Sequence, residues 1–359
     1  MKKTLFITLA SIALVSCSQD ETVATMDRVA IEFDKVFIEN STSSRAATDI
    51  TSANLTDFAV YGSVVKGEQK GNIFNKQKVS GTHAGGYTYS PAQYWIPSAS
   101  YHFTAIAPYE GAKWTYTCKA EDESEYGTRQ AQFGTITFDN EAAAAEQDLL
   151  WAYQSASTMQ TTPDAVKFSF QHLLSRAKFT FVNDFAEGSN ISIKVKGVTI
   201  NDAHAKGTLV LNGTEAPAEQ WTTTDAKPFE KLFGSAQYVK GTDGEVTQLG
   251  ENEQQVSGVA ASTVHYYLLP VANAEYHIEF TIELYQAGLK LQEIVKEATI
   301  LISNMNRGFS YDFKAKLNAN NTMNEGPLEA IEFKVTRVED WKDYPNVDAN
   351  INTQTSGNN

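Results

Sequence analysis

The chain has 359 residues and a formal net charge of −14, with 43 Asp and Glu residues against 29 Lys and Arg residues. A surface of this charge repels nucleic acid and anionic lipid headgroups, so neither is an expected partner. Hydrophobic residues make up 42% of the chain, which is enough for packed cores in two domains of ordinary size. With two cysteines in the whole chain, a disulfide framework is excluded if either of them is modified.

Residues 1–17 have the layout of an export signal. Lys2 and Lys3 form a positive start, an apolar run covers 5–15, and Leu-Val-Ser precedes Cys17. The apolar run is too short to span a bilayer as a stable helix. The residues around Cys17 resemble a lipobox, and this resemblance implies signal removal before Cys17 and a lipid on its thiol. We expect this lipid to be the only membrane attachment. The alternative is a free Cys17 after ordinary cleavage.

Most of the remaining sequence alternates apolar and polar residues with a period of two. Segments such as 29–34, 101–107 and 276–285 are rich in Val, Ile, Thr, Tyr and Phe, and Gly- and Asn-rich turns separate them. Many short alternating segments with such turns predict an all-β antiparallel sandwich or barrel. A polar stretch at 183–190 predicts a boundary between two β-rich halves, and 342–359 is predicted to be a polar tail.

The sequence offers little catalytic or metal-binding chemistry. The six His residues lie far apart, and His277-Ile278-Glu279 lacks the Cys half of a zinc deaminase site. No nucleophile elbow, phosphate loop or dinucleotide fingerprint occurs. We therefore predict no catalytic residue, no metal, no cofactor and no enzyme activity, with a hydrolase on a β-sandwich scaffold as a disfavoured alternative. Tyr94 and Trp95 fit either a sugar-stacking platform or a core strand, and we expect the core strand.

The segment before Arg45 is the most informative part of the sequence. Residues 29–38 predict a strand whose inward face carries Val29, Ile31, Phe33 and Phe37. A Ser-, Thr- and Ala-rich stretch follows, and Arg45 within it is an accessible site for a trypsin-like protease. A cut there would release the strand and leave a groove that another chain's strand could fill. On the residues alone, an ordinary tether with one exposed Arg fits equally well.

Several further motifs carry a family resemblance. They are Ser-Arg-Ala at 44–46, Thr-Asp-Phe-Ala-Val-Tyr-Gly at 56–62, Ser-Pro-Ala-Gln-Tyr-Trp at 90–95, Tyr-His-Phe-Thr-Ala-Ile-Ala-Pro-Tyr at 101–109, Phe-Ser-Phe-Gln-His-Leu-Leu-Ser-Arg-Ala-Lys-Phe at 168–179 and Ile-Glu-Phe-Lys-Val-Thr-Arg-Val-Glu-Asp-Trp at 331–341. Together with the lipobox, their order resembles that of the fimbrillins, the subunits of type V pili. The resemblance covers most of the chain.

The resemblance implies a fold and a pathway of export, cleavage and assembly. It implies a signal peptide at 1–17, a pro-segment at 18–45, and two tandem transthyretin-like antiparallel β-sandwich domains at 46–185 and 186–341. The protein would reach the outer membrane as a lipoprotein and be cut by an Arg-specific protease between Arg45 and Ala46. It would then join other pilin subunits by donor-strand exchange in an adhesive cell-surface fimbrium, with no receptor indicated.

The C-terminus departs from the pattern of a shaft subunit. Residues 342–359 are too polar to fill a hydrophobic groove, so the only candidate donor strand is 331–341, with Ile331, Phe333 and Val335 on one face. This segment fits a strand of its own domain equally well, which would suit a tip or accessory subunit. The alternative function is a surface lipoprotein that binds glycan or protein without polymerising. His172 and Ser175 are expected to be structural.

Overall fold

The structure is a computed structural model of the whole chain. It describes residues 29–38, 50–109, 113–118, 134–139, 148–159, 163–186, 188–201, 203–204, 206–211, 220–223, 260–262, 266–323 and 328–338. The predicted lipid site Cys17, the predicted cleavage residues Arg45 and Ala46, and the polar tail lie outside these residues.

The described residues form strands almost throughout. The strands are β1 (Phe37–Ile38), β2 (Asp57–Lys66), β3 (Gln69–Thr82), β4 (Gly86–Thr88), β5 (Ser100–Ala107), β6 (Trp114–Cys118), β7 (Gly134–Asp139), β8 (Leu150–Ser157), β9 (Ser169–His172), β10 (Ser175–Asn183), β11 (Ile191–Ile200), β12 (Lys206–Val210), β13 (Thr222–Thr223), β14 (Ala260–Ser262), β15 (Tyr266–Leu268), β16 (Ala272–Gln286), β17 (Leu289–Asn304), β18 (Ser310–Leu317) and β19 (Phe333–Val338). One short helix, α1 (Ala319–Thr322), begins after Asn318, whose side chain caps it. The all-β prediction is therefore confirmed.

The N-terminal part is built on a seven-stranded sheet with the order β1-β9-β8-β5-β2-β3-β4. Strand β2 lies in the interior of this sheet and is buried on both faces, which explains its nearly continuous run of apolar and small residues. Phe58 and Val60 point into one hydrophobic cluster, and Ala59 and Tyr61 point into another. The first cluster also contains Phe33.

A four-stranded sheet with the order β13-β12-β7-β6 covers the other face of this large sheet. Tyr61 on β2 meets Tyr116 on β6 edge to face, with ring centroids 4.8 Å apart. The pair β12–β7 joins 206–210 to 135–139, so it crosses the boundary predicted at 185/186. Local periodicity does not encode this long-range pairing, because it reports which face is buried and not which strand lies alongside.

The C-terminal part is a sandwich of two sheets. A five-stranded sheet has the order β14-β10-β18-β19, with β15 also paired to β10, and a three-stranded sheet has the order β11-β16-β17. The sheets face each other through aromatic side chains, and the rings of Phe181 and Phe280 lie 5.0 Å apart. Strand β10 pairs in parallel with β18 along its whole length, although the predicted boundary separates these two strands. The two predicted domains and their transthyretin-like arrangement stay predictions.

Candidate functional site

The N-terminal segment 29–38 lies in a groove between two other parts of the chain. On one side Ala30 forms an antiparallel bridge with Tyr94, and on the other side Phe33 forms a parallel bridge with Val166. Phe33 is also bridged to Tyr87, so the segment is held from both sides at this residue. Further along, β1 continues in parallel with β9. We call this site the strand groove.

Backbone hydrogen bonds hold the segment on both sides of the strand groove. On the first side, Ile31 N donates to the carbonyl of Gln93 at 2.8 Å, and Trp95 N donates to the carbonyl of Val29 at 3.0 Å. On the second side, Val166 N donates to the carbonyl of Glu32 at 2.7 Å, Asp34 N donates to the carbonyl of Val166 at 3.0 Å, and Phe37 N donates to the carbonyl of Phe168 at 2.9 Å. The segment thus satisfies backbone groups that would otherwise form two open strand edges.

Two side chains of the groove wall add hydrogen bonds to carbonyls of the segment. The Tyr89 hydroxyl donates to the carbonyl of Ile31 at 2.8 Å. Nδ1 of His83 lies 3.0 Å from the carbonyl oxygen of Val36, and with the proton on Nδ1 it donates to that oxygen. These contacts involve only the backbone of the segment. They would therefore accept any strand that presents carbonyls in the same register.

The inward face of the segment differs in part from the predicted one. Ile31 and Phe33 are buried, but Val29 and Phe37 are 46% and 53% exposed. The inward positions after Phe33 are Val36 and Ile38, which are 0% and 6% exposed. The prediction of an inward Val29 and Phe37 was therefore wrong.

A β-bulge explains the change of face after Phe33. Between the hydrogen bonds of Asp34 to Val166 and of Phe37 to Phe168, the segment advances by three residues while its partner advances by two. The extra residue shifts the alternation by one position, so the side chains that follow exchange faces. A strict period of two, read from the sequence, has no means of detecting this insertion.

Phe33 is the aromatic anchor of the segment. Its ring stacks on Phe168 with centroids 5.7 Å apart, and it contacts Tyr89 at 5.4 Å, Phe74 at 5.7 Å and Phe58 at 6.3 Å. Burying a side chain of this size stabilises by about 1.5–3 kcal/mol, and each aromatic pair adds about 0.5–1.5 kcal/mol. Phe33 therefore holds the segment more strongly than any of its other side chains.

The chain after the predicted cleavage site is tied to the body of the protein by a buried carboxylate. Asp148 accepts hydrogen bonds from Ile50 N at 3.3 Å and from Leu149 N at 2.8 Å. Nδ1 of His172 lies 3.0 Å from the same carboxylate, and both side chains are buried. Ser175 donates its hydroxyl to the carbonyl of Asn306 at 3.0 Å. The structural contacts expected of His172 and Ser175 are thus present, whereas no pattern in the sequence pointed to Asp148.

The candidate donor strand lies in its own C-terminal sandwich. Ile331, Phe333 and Val335 are all buried, and β19 pairs antiparallel with β18 at the edge of the sheet. Phe333 packs against the rings of Phe179 and Phe181 at 5.7 Å each, and against Phe280 at 5.8 Å. Among the described residues, β19 is thus an edge strand of the C-terminal sandwich.

The other candidate sites considered in the sequence, around Trp95 and His277, do not have the features of a sugar-binding or metal site. Trp95 is buried against Tyr101, with ring centroids 4.7 Å apart, so it belongs to the core and not to an exposed sugar platform. His277 is exposed, and within the described residues no group of three potential ligands could hold a metal ion. Across the same residues, no helix combines the length and the apolar character that a membrane span requires.

These features define a class: β-sandwich proteins in which an N-terminal segment completes the sandwich by filling a groove between two of its own edges. The chain belongs to the fimbrillin-like family, whose model matches residues 44–341. This membership supports a surface adhesin or pilus component with a structural, non-enzymatic role. None of the curated proteins matches the chain.

Several solved structures are similar to this chain at low sequence identity. A candidate cell adhesion protein from Bacteroides ovatus is 11% identical with a TM-score of 0.45, over 89% of this chain and 99% of the other. A candidate cell adhesion protein from Bacteroides uniformis is 14% identical with a TM-score of 0.42, over the same shares. The fimbrial anchor protein Mfa2 from Porphyromonas gingivalis is 10% identical with a TM-score of 0.33, over 86% and 97%.

Proposed function

We propose that this chain is a structural subunit of an adhesive cell-surface pilus. It is exported as a lipoprotein through Cys17, cut between Arg45 and Ala46, and joined to other subunits by donor-strand exchange. Its partners are other pilin subunits and an Arg-specific processing protease. The observation that carries this proposal is the occupation of the strand groove by residues 29–38, which lie ahead of Arg45 in the chain.

Loss of the segment would leave a site suited to another strand. The backbone groups of Gln93, Trp95, Val166 and Phe168 that now bond to the segment would lose their partners. The pocket of Phe33 would lose its occupant and expose four aromatic rings. Open strand edges beside an apolar groove bind an extended segment by β-strand addition, in which backbone hydrogen bonds give affinity and side-chain pockets give specificity.

The position of Arg45 supports cleavage at one site. Arg45 is the only Lys or Arg between Lys35 and Lys66, so an Arg-specific protease has a single target in this stretch. Ile50 keeps its hydrogen bond to the buried Asp148 on the far side of the cut. The body of the protein therefore retains its own anchor when the segment leaves. Membrane attachment ends with the loss of the lipidated peptide, which moves the subunit from the outer membrane to the fimbrium.

The sizes of the species that the surface protein forms on a denaturing gel without boiling test this function. We expect the unboiled wild-type protein to run as a ladder of sizes on a denaturing gel, and the Arg45→Ala variant to run as a single uncut species. Arg45→Lys separates an Arg-specific protease from one that also accepts Lys. Lys35→Ala, an exposed change within the same segment, is the matched control and should keep the ladder.

The opposite outcome would favour the second candidate function. Wild-type protein that stays monomeric and keeps its lipid would be a tethered module that binds glycan or protein. The intradomain position of β19 is the observation in favour of this alternative, since that strand is already paired in the monomer.

A further inference from the structure

Four large apolar side chains are exposed together at one end of the N-terminal sandwich. They are Val29, Tyr94, Ile96 and Met159, which are between 38% and 58% exposed. Hydrogen bonds connect the chain around them: Trp95 N donates to the carbonyl of Val29 at 3.0 Å, and the hydroxyl of Thr158 donates to the carbonyl of Ile96 at 2.6 Å. We call these four side chains the end patch. Apolar side chains that are grouped in this way, unlike single scattered ones, are typical of a surface that contacts a partner or a membrane.

The end patch and the buried Asp148 lie at opposite ends of the long sheet. Strands β5 and β8 pair antiparallel along their eight residues, so the two ends of this ladder are about 26 Å apart. Ile96 lies four residues before β5 and Met159 lies two residues after β8, which places both at one end. Asp148 lies two residues before β8, which places it at the other end.

Two lysines lie at the same end of the sheet as the end patch. The turn between β2 and β3 is found there, because Val65 beside this turn pairs with Ser100 at the start of β5. Around the turn, Lys66, Glu68 and Lys70 are all exposed. A long Lys side chain can lay its apolar stem along a membrane surface while its ammonium group stays at the lipid phosphates. With two positive charges and one negative charge, this turn suits a zwitterionic headgroup, although the whole chain has a net charge of −14.

The lipid predicted on Cys17 would be tied to this end of the molecule. The described part of the chain begins at Val29, within the end patch, and residues 18–28 are the only link between Val29 and Cys17. These eleven residues span at most about 40 Å when fully extended. A lipid inserted in a bilayer therefore holds the end patch close to the bilayer surface.

We propose that the end patch of the lipidated precursor rests on the phospholipid surface that holds its lipid. Tyr94, Ile96 and Met159 enter the headgroup region, and Lys66 and Lys70 reach the phosphates. Tyrosine is favoured at this depth because it combines an apolar ring with a polar tip, and apolar side chains there are removed from water. This inference rests on the lipoprotein route of the proposed function, and it adds to that route a membrane contact and an orientation.

The orientation presents the cleavage site to a soluble protease. Arg45 lies between Ile38 and Ile50 in the sequence. Ile38 pairs with Phe170 on β9, and Ile50 N donates to Asp148, so both flanking residues are near the end of the sheet that is remote from the end patch. With the end patch on the bilayer, the stretch that contains Arg45 starts and ends on the side that faces away from the lipid.

Fluorescent labels on single cysteines test this contact in the lipidated precursor. The chain carries Arg45→Ala to prevent cleavage and Cys118→Ser to remove the second thiol, and it is inserted in phosphatidylcholine vesicles. Aqueous iodide should quench a label at Met159→Cys at least about threefold more slowly on vesicles than in the unlipidated Cys17→Ser protein in solution, because the headgroup region excludes the ion. Leu289→Cys is the matched control: Leu289 is 73% exposed on the C-terminal sandwich, and its label should be quenched at the same rate in both forms.

A second reporter tests whether the apolar side chains cause the contact. With the label at Lys66→Cys, slower quenching on vesicles should be lost in the Met159→Asp variant, because a charged side chain resists transfer to an apolar region. Leu289→Asp makes the same chemical change elsewhere and should leave the quenching rate unchanged. All of these side chains are exposed, so the substitutions leave the packed core intact.

Several results would overturn the membrane contact. Equal quenching of the label at position 159 with and without vesicles would do so, and so would equal effects of the two Asp variants. Slow quenching at position 159 in solution that depends on protein concentration would identify a second copy of the chain as the occupant, and would also overturn it. A precursor whose intact mass shows no lipid would refute the lipoprotein route of the proposed function, and this inference with it.

Discussion

At the scale of single residues, Phe33 determines how firmly the strand groove holds its segment. It is bridged by backbone pairing on both sides and contacts four aromatic rings. Phe37, in the same segment, points to solvent and contacts His83 at its edge, with ring centroids 5.9 Å apart. Of the two Phe residues in this segment, one is therefore buried and the other is exposed to solvent.

This contrast makes a direct prediction about stability. Phe33→Ala should lower the free energy of unfolding by about 3–5 kcal/mol, because it removes a buried aromatic side chain and leaves a cavity. Phe37→Ala, the matched control, should cost less than about 1 kcal/mol because that side chain is exposed. Urea unfolding of the uncut protein measures both values. Equal losses for the two variants would show that Phe33 is not the anchor.

Part of this arrangement could be predicted from the sequence. Alternation of apolar and polar residues identified Ile31 and Phe33 as inward-facing, because burial on one face of a strand is a local property. It failed at Phe37, because one extra residue beyond Asp34 reverses the faces and leaves no compositional trace. Asp148 was missed for another reason: its partners Ile50 and His172 come from distant parts of the chain.

At the scale of elements, one carboxylate links the three strands of a C-terminal sheet. Glu283 on β16 accepts hydrogen bonds from Lys196 on β11 and from Lys290 on β17, each at 2.7 Å, and from the hydroxyl of Tyr285 at 2.9 Å. Burial alone would raise the pKa of Glu283, but the hydrogen bonds from Lys196, Lys290 and Tyr285 outweigh it and lower that pKa to about 2. The charged form is thus the one that the sheet stabilises.

The lowered pKa predicts how this sheet responds to acid. A carboxylate with a lowered folded-state pKa adds stability above its unfolded value near 4.5, and this contribution is lost as the pH falls towards 2. Glu283→Gln should therefore destabilise the protein at pH 7 and lose this effect progressively between pH 4.5 and pH 2. Glu279→Gln, an exposed change on the same strand, is the matched control and should change the free energy of unfolding by less than about 0.5 kcal/mol. Urea midpoints across this range measure the difference, and a Glu283→Gln effect independent of pH would contradict the assignment.

The positions of the strands could be predicted from the sequence more readily than the pairing between strands. Segments at 101–107 and 276–285 were predicted as strands and lie within β5 and β16, because alternation and β-branched content are local signals. The pairing of β12 with β7 depends on the way the chain folds back on itself, and it crosses a boundary that a polar stretch had indicated. A polar stretch marks a surface loop and does not by itself mark the end of a packing unit.

At the scale of the whole molecule, one segment of the chain fills a groove between other strands of the same chain. This segment, residues 29–38, lies ahead of Arg45 and is held by backbone bridges on both sides. Proteolysis at Arg45 would make the loss of this segment irreversible, because the released peptide diffuses away.

The central claim is that the segment ahead of Arg45 is removed on the cell surface, and one measurement tests it most directly. The N-terminal sequence and intact mass of the protein isolated from the cell surface report which residue begins the assembled subunit. We predict a start at Ala46, with the lipid and residues 29–38 absent. A lipidated start at Cys17 would mean that the segment stays in the strand groove, and it would contradict assembly by strand exchange at this site.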